Sequence, residues 1–135
     1  MTLEEFIQKN DVESSKMLID EEDLIMMSKY IGVKFGTKIK DYVTKYGYLA
    51  YKNIEFYGIN NRQMEKSDMI SQSVYIHKYF PKTKNYIAFE HNGEDSYAIV
   101  DSEDKVYIYN ADTDQIEYTG KDLNGYCVFR FEKAS

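Results

Sequence analysis

The sequence predicts a single α+β domain, read as residues 1–135, in which a mainly antiparallel sheet carries N-terminal and intervening helices. Three observations lead there. Apolar residues in the first half recur at helical spacing, and from Tyr86 onward β-prone runs are broken by short polar turns. The length of 135 residues is that of one ordinary domain, with no linker, internal repeat or low-complexity segment to divide it. A hydrophobic content of 43% is enough to build a core, and fourteen Tyr beside seven Phe and no Trp suit half-buried sheet positions.

The elements follow in order. "TLEEF" matches a capping box, with Thr2 as N-cap, Glu5 three residues on, and Leu3, Phe6 and Ile7 as an apolar stripe. "IDEEDLIMMSKYIG" reads as a second helix, capped by Asp20, facing inward through Leu24, Met27 and Ile31, and stopped by Gly32. In "GTKIKDYVTKYG", Thr37 is the expected cap, Ile39, Tyr42, Val43 and Tyr46 keep helical spacing, and Gly47 is expected in the left-handed conformation. Aromatic strands are predicted near 48–51 and 54–58, with Asn53 and "GINN" as turn signals.

"EKSDMISQSVYIHKYFP" returns to helical spacing. Asp68 or Ser67 can cap it, Ile70, Val74 and His77 share a face, and Pro81 ends the run. A meander of strands follows over Tyr86–His91, Ser96–Asp101, Lys105–Asn110 and Gln115–Thr119. Asn92-Gly93 is a strong hairpin signal, so Gly93 is expected to carry a positive φ. The tail from Asp122 suits either helix or strand: Leu123, Tyr126 and Cys127 fit a helix capped by Asp122, whereas Gly125 and Cys127–Phe129 fit it poorly.

Charge narrows the function. The chain carries −6 overall. Up to Phe89 there are 13 Lys/Arg and 12 Asp/Glu, but from Glu90 to Asp122 ten Asp/Glu face only Lys105 and Lys121. Nucleic-acid binding needs a basic stripe, so the deficit argues against that class; it favours a basic partner, or no partner at all, the acids then only solvating a sheet edge. One cysteine permits no intramolecular disulfide, and the polar, acidic "MTLEEFIQKN" is unlike a signal peptide. No apolar run reaches the roughly 20 residues that span a bilayer. The expectation is a cytoplasmic protein that engages no membrane.

Motifs for chemistry fail individually. "DTDQIEYTGKDL" offers Asp112 and Asp114 for an EF-hand loop, but Ile116 occupies the third ligand position and no Gly follows it. Glu90 and His91 are neighbours on a strand, so their side chains diverge, and His77 lies on a helix. Cys127 has no basic neighbour to activate it and resembles a small buried hydrophobe. No G-x-S-x-G occurs, and the glycines of "GVKFGTK" stand one residue too close for a phosphate loop. No catalytic residue, metal or cofactor is expected.

Three stretches resemble the SUKH superfamily, the domain shared by yeast Smi and Knr regulators and many bacterial immunity proteins. In "YIGVKFGTKIKDYVTKYG", Ile31, Gly32, Phe35, Ile39, Tyr42, Val43, Tyr46 and Gly47 stand at the matching positions. In "KYFPKTKNYIAFEHNGEDSYAIVD", Tyr86, Ile87, Phe89, Gly93, Tyr97 and Asp101 do so, and "KVYIYNADTD" is similar to the strand that follows. Gly36 replaces the proline usual before the third helix.

The resemblance implies helices packed on one side of the sheet and a helix over Asp122–Phe131. It also implies an immunity protein that neutralises a cognate toxin, often a nuclease, by non-catalytic complex formation. A regulatory interaction scaffold is the alternative, and a small enzyme or ligand-binding domain a third reading. A nuclease presents a basic cleft, which an acidic surface complements. The expected partner surface combines Glu90, Glu94, Asp95, Asp101, Glu103, Asp104, Asp112 and Asp114 with Tyr97, Tyr107 and Tyr109 as aromatic anchors, gathered where hairpin turns meet at one end of the meander.

Overall fold

Five helices and seven strands follow one another in a computed structural model that describes residues 1–15, 19–59 and 68–135. The helices are α1 (Leu3–Lys9), α2 (Glu21–Ile31), α3 (Thr37–Lys45), α4 (Met69–Tyr79) and α5 (Leu123–Ala134). The strands are β1 (Glu13–Ser14), β2 (Leu49–Tyr51), β3 (Ile54–Phe56), β4 (Ile87–Gly93), β5 (Ser96–Val100), β6 (Lys105–Asn110) and β7 (Gln115–Asp122). They form two antiparallel sheets, β1-β2-β3 and the meander β4-β5-β6-β7. The tail is helical. The expected turn residues Asn60 and Asn61 and the alternative cap Ser67 lie outside the described residues.

Four helices begin as their sequences dictate. Thr2, Asp20, Asp68 and Asp122 each accept from a backbone amide three residues on, at 3.1, 2.8, 2.8 and 2.9 Å, which satisfies a donor that the helix leaves without a partner. Gly32 and Gly47 end α2 and α3 with φ of 75° and 73°, as left-handed terminators should.

α3 differs. Its N-cap is Gly36, which has no side chain, and Thr37 is already helical rather than the cap. The cap comes from Asp104, in the β5–β6 turn: its two carboxylate oxygens accept from the amides of Lys38 and Ile39, both at 3.0 Å. A Cβ on residue 36 would stand 2.5 Å from either oxygen, so glycine is what lets the carboxylate reach the amides. The Asp104 carbonyl also accepts from the amide of Leu123 at 2.8 Å, and Lys38 pairs with Asp122. One turn thus ties the beginnings of α3 and α5 together.

The core is a train of aromatic rings. Phe56 lies 4.8 Å from Phe89 and 5.0 Å from Phe131, and Phe6 lies 5.4 Å from Phe131. Tyr42, on α3, sits 5.2 Å from Phe89, donates to the Tyr57 carbonyl at 3.0 Å, and accepts from the Leu49 amide at 3.1 Å. The amide of Tyr57 donates to the Phe89 carbonyl at 2.7 Å, joining the two sheets.

α5 packs on one face of the meander, and Phe80, the residue after α4, packs on the other. Glu90, paired with Ala98, meets α5, whereas Tyr97, paired with His91 and Tyr109, faces Phe80 at the end of α4. α4 itself is rotated from the face expected. It buries Met69, Ser73 and Ile76, leaving Val74 exposed. Ser73 can lie inside because its hydroxyl accepts from the Ala88 amide at 2.9 Å, beside an irregularity in β4.

Candidate partner-binding surface

In a meander, successive turns fall at alternate ends of the sheet. The β4–β5 turn (Glu94, Asp95) and the β6–β7 turn (Asp112, Asp114) share one end, where the Ala111 amide donates to the Asp95 carbonyl at 2.7 Å. The β5–β6 turn, with Asp101, Glu103 and Asp104, lies at the other, roughly 17 Å away across the five residues of β5. The single acidic surface expected from the sequence is therefore two. Gly93 has no positive φ: register shifts in β4 pair it with Ser96 and move the turn onto Glu94 and Asp95.

Several of the expected acids are structural. Asp104 is 6% exposed and spends its carboxylate on α3. Asp101 organises its own turn, accepting from the amides of Glu103 at 2.9 Å and Lys105 at 3.0 Å and from the Tyr107 hydroxyl at 3.1 Å. Asp114 accepts from the Tyr109 hydroxyl at 2.6 Å and faces Lys82 at 3.6 Å. Glu103 is exposed and pairs loosely with Lys105. What remains is Glu94, Asp95 and Asp112, exposed at one end and, among the described residues, engaged in no hydrogen bond or ion pair through their carboxylates.

The expected aromatic anchors are also mostly inside. Tyr109 is 1% exposed and Tyr97 8%, while Tyr107 is half-buried between Tyr86 and Tyr118. Burial, with the adjoining carboxylates of Asp101 and Asp114, pushes the phenols of Tyr107 and Tyr109 up to about 12. His91 is exposed and stacked on Tyr97 at 4.4 Å, with its Nε2 3.2 Å from the Glu94 carbonyl. It diverges from Glu90, as strand geometry requires.

Glu90 points the other way. Its carboxylate, on a residue only 2% exposed, accepts from the Tyr126 hydroxyl at 2.5 Å and from Arg130 through Nε at 3.1 Å and Nη2 at 2.6 Å. The two-pronged contact offsets the desolvation of the pair, so Glu90 clamps α5 to β4 and is turned away from the exposed acidic turns. Desolvation and the Glu90 charge push the Tyr126 phenol well up, and the Glu90 hydrogen bond holds the Arg130 guanidinium charged. Tyr126 and Arg130 stand four apart on one face of α5, a spacing visible in the sequence once that segment is read as a helix. Beside them a groove of about 260 Å³ runs between α5 and the sheet, where Lys121 and Lys133 sit 4.6 and 4.5 Å from the ring centre of Phe129.

Among the described residues, these arrangements pair no nucleophile with a base. Cys127 is fully buried and its thiol is pushed well up by burial. Among the described residues no three His, Cys, Asp or Glu side chains gather as metal ligands, and no helix is long and apolar enough to cross a membrane.

A family model described as SMI1-KNR4 cell-wall, of the SUKH group, matches residues 2–127. The chain belongs to the SUKH family. The match spans the helices, both sheets and the start of α5, and so includes Asp104 and the Gly36 it approaches. A comparison with curated proteins finds no match. SUKH domains are in general non-catalytic, and membership is compatible with an immunity role.

Proposed function

We propose that this SUKH domain is a cytoplasmic immunity protein that binds and neutralises a cognate bacterial toxin without catalysis. The observation that carries the reading is the cluster of unengaged carboxylates, Glu94, Asp95 and Asp112, at one end of the meander. Acids held by no internal partner cost little to bring against cations, and together they steer a basic partner into encounter. Nucleases, whose clefts grip phosphate, are the toxin class with the matching charge.

The first test is the gene next door, where a toxin-like domain is expected and its absence across related loci would count against the reading; the second is coexpression with that domain. Glu94→Lys, Asp95→Lys and Asp112→Lys together are expected to leave the fold intact, slow association at least tenfold at low salt, and weaken protection. Glu103→Lys, at the opposite end, is the control and should change neither. Full protection at the wild-type association rate by the triple variant would refute this surface. The description SMI1-KNR4 cell-wall favours a second reading, a regulatory scaffold. It differs in outcome: a partner is bound, but no toxin is neutralised.

A further inference from the structure

With Tyr97 and Tyr109 buried, the acidic end still has aromatic residues beside it, supplied by α4. That helix buries Met69, Ser73 and Ile76, so its opposite side faces solvent. There Tyr75 is 45% and Tyr79 57% exposed, four residues apart, with ring centres 4.8 Å from each other. Neither hydroxyl makes a hydrogen bond within the described chain. In contact, the two rings join into one exposed aromatic patch rather than two scattered residues.

The pair is continuous with the acidic turns. Tyr75 lies 6.4 Å from Phe80, and Phe80 lies 5.9 Å from Tyr97 and 5.3 Å from Tyr109. Tyr97 carries His91, next to the β4–β5 turn, and Tyr109 holds Asp114 in the β6–β7 turn. A rigid aromatic train therefore runs from the outer side of α4 to both groups of carboxylates. The face of Tyr79 already accepts an ammonium group: Lys78 Nζ stands 5.3 Å from its ring centre.

We infer that Tyr75 and Tyr79 form the aromatic centre of the partner surface whose acidic rim is Glu94, Asp95 and Asp112, and that it takes a protein surface of apolar side chains ringed by lysine or arginine. The inference rests on the acidic end being where a partner binds. Tyrosines packed against one another lose little side-chain freedom on binding, and aromatic residues inside a charged rim are where binding energy concentrates. The carboxylates set the sign of the partner, and the tyrosines hold it.

The test uses the isotope-labelled full chain and a synthetic peptide alternating lysine and leucine, with a glutamate–leucine peptide for comparison. Amide signals of α4 and of the β4–β5 and β6–β7 turns should shift with the lysine peptide and not with the glutamate one. Tyr75→Ala with Tyr79→Ala should weaken that binding by roughly 10–100-fold, whereas Tyr118→Ala, another exposed tyrosine on β7, should not. The spectra report directly whether each variant is folded, and Tyr75→Ser with Tyr79→Ser serves if the alanine pair is not. Shifts confined to other elements, equal response to both peptides, unchanged affinity in the double variant, or no binding at millimolar peptide would each overturn the inference. Mapped binding here together with failed protection would overturn the immunity reading and leave this surface standing.

Discussion

Replacing Asp104 removes the cap of a helix whose first capped amide, on Lys38, lies 66 residues earlier in the chain. Two amides, those of Lys38 and Ile39, lose a charged acceptor in a buried setting. Hydrogen bonds to charged groups contribute about 1.5–3 kcal/mol each, and loss of an ordinary N-cap costs about 0.5–2 kcal/mol. Water reaching the emptied site recovers part, so Asp104→Gly should cost about 2–4 kcal/mol. Asp104→Ala should cost about 1 kcal/mol more, because residue 104 has a φ of 66° and an alanine there is strained. Asp104→Asn tolerates that φ and retains one acceptor oxygen but turns its NH2 toward the other amide, so its cost should be about 2 kcal/mol.

Urea denaturation reads these directly. With a slope of about 1–3 kcal/mol per molar, the Asp104→Gly midpoint should fall by about 1–2 M. The decisive measurement is a double-mutant cycle. Gly36→Ala alone forces a Cβ against the carboxylate and should cost about 1–3 kcal/mol, but in the Asp104→Gly background it should cost little. A glycine variant within about 0.5 kcal/mol of wild type, or an equal Gly36→Ala cost in both backgrounds, would refute the reasoning.

Three further outcomes are expected. Gly47→Ala should lower stability by about 1–2 kcal/mol in urea denaturation, since φ is 73° there and a new Cβ would lie 2.9 Å from that of Ser15. Arg130→Ala should cost about 3 kcal/mol, because it leaves Glu90 charged and nearly solvent-free, and Glu90→Gln with Arg130→Ala should recover part of that loss in the same assay. The phenols of Tyr42, Tyr57, Tyr107, Tyr109 and Tyr126 all ionise above their usual value of 10.0, chiefly through burial. Groups with raised folded values contribute stability that is complete below pH 10 and is lost as pH climbs through the folded values. Tyrosinate absorbance should therefore rise in two stages, the second coinciding with loss of helical circular dichroism. A single titration of all fourteen tyrosines near pH 10 would contradict their burial.

The local signals were legible because their causes are local. Thr2, Asp20, Asp68 and Asp122 each cap a helix from three residues away, and Gly32 and Gly47 end helices through their own backbone. Strand positions in the meander follow from side-chain alternation and turn residues, with β6 found at Lys105–Asn110 as expected. The α3 cap was hidden because Asp104 lies in another hairpin, and "SEDK" reads equally well as a solvated turn. The buried face of α4 was mistaken because Ser73 looks like an outward residue until its acceptor role at Ala88 is known. That the acids divide between two ends follows from turn alternation alone and was open to inspection. That Glu90 and Tyr109 turn inward depends on partners, Arg130 and Phe80, set by tertiary packing.

The distance along the chain between α3 and its cap also sets a clock. A nascent chain grows at roughly 5–20 residues per second, so the 66 residues from Lys38 to Asp104 take about 3–13 s to make. Throughout that interval the leading amides of α3 lack the Asp104 carboxylate, and for most of it the ring of Tyr42 lacks Phe89 as well. The N-terminal half therefore leaves the ribosome able to form its own small sheet and the Tyr42 hydrogen bonds, but without the cap and the aromatic contact that come from the meander. Its final shape is imposed late, when the β5–β6 hairpin docks and closes α3 from the far side of the sequence.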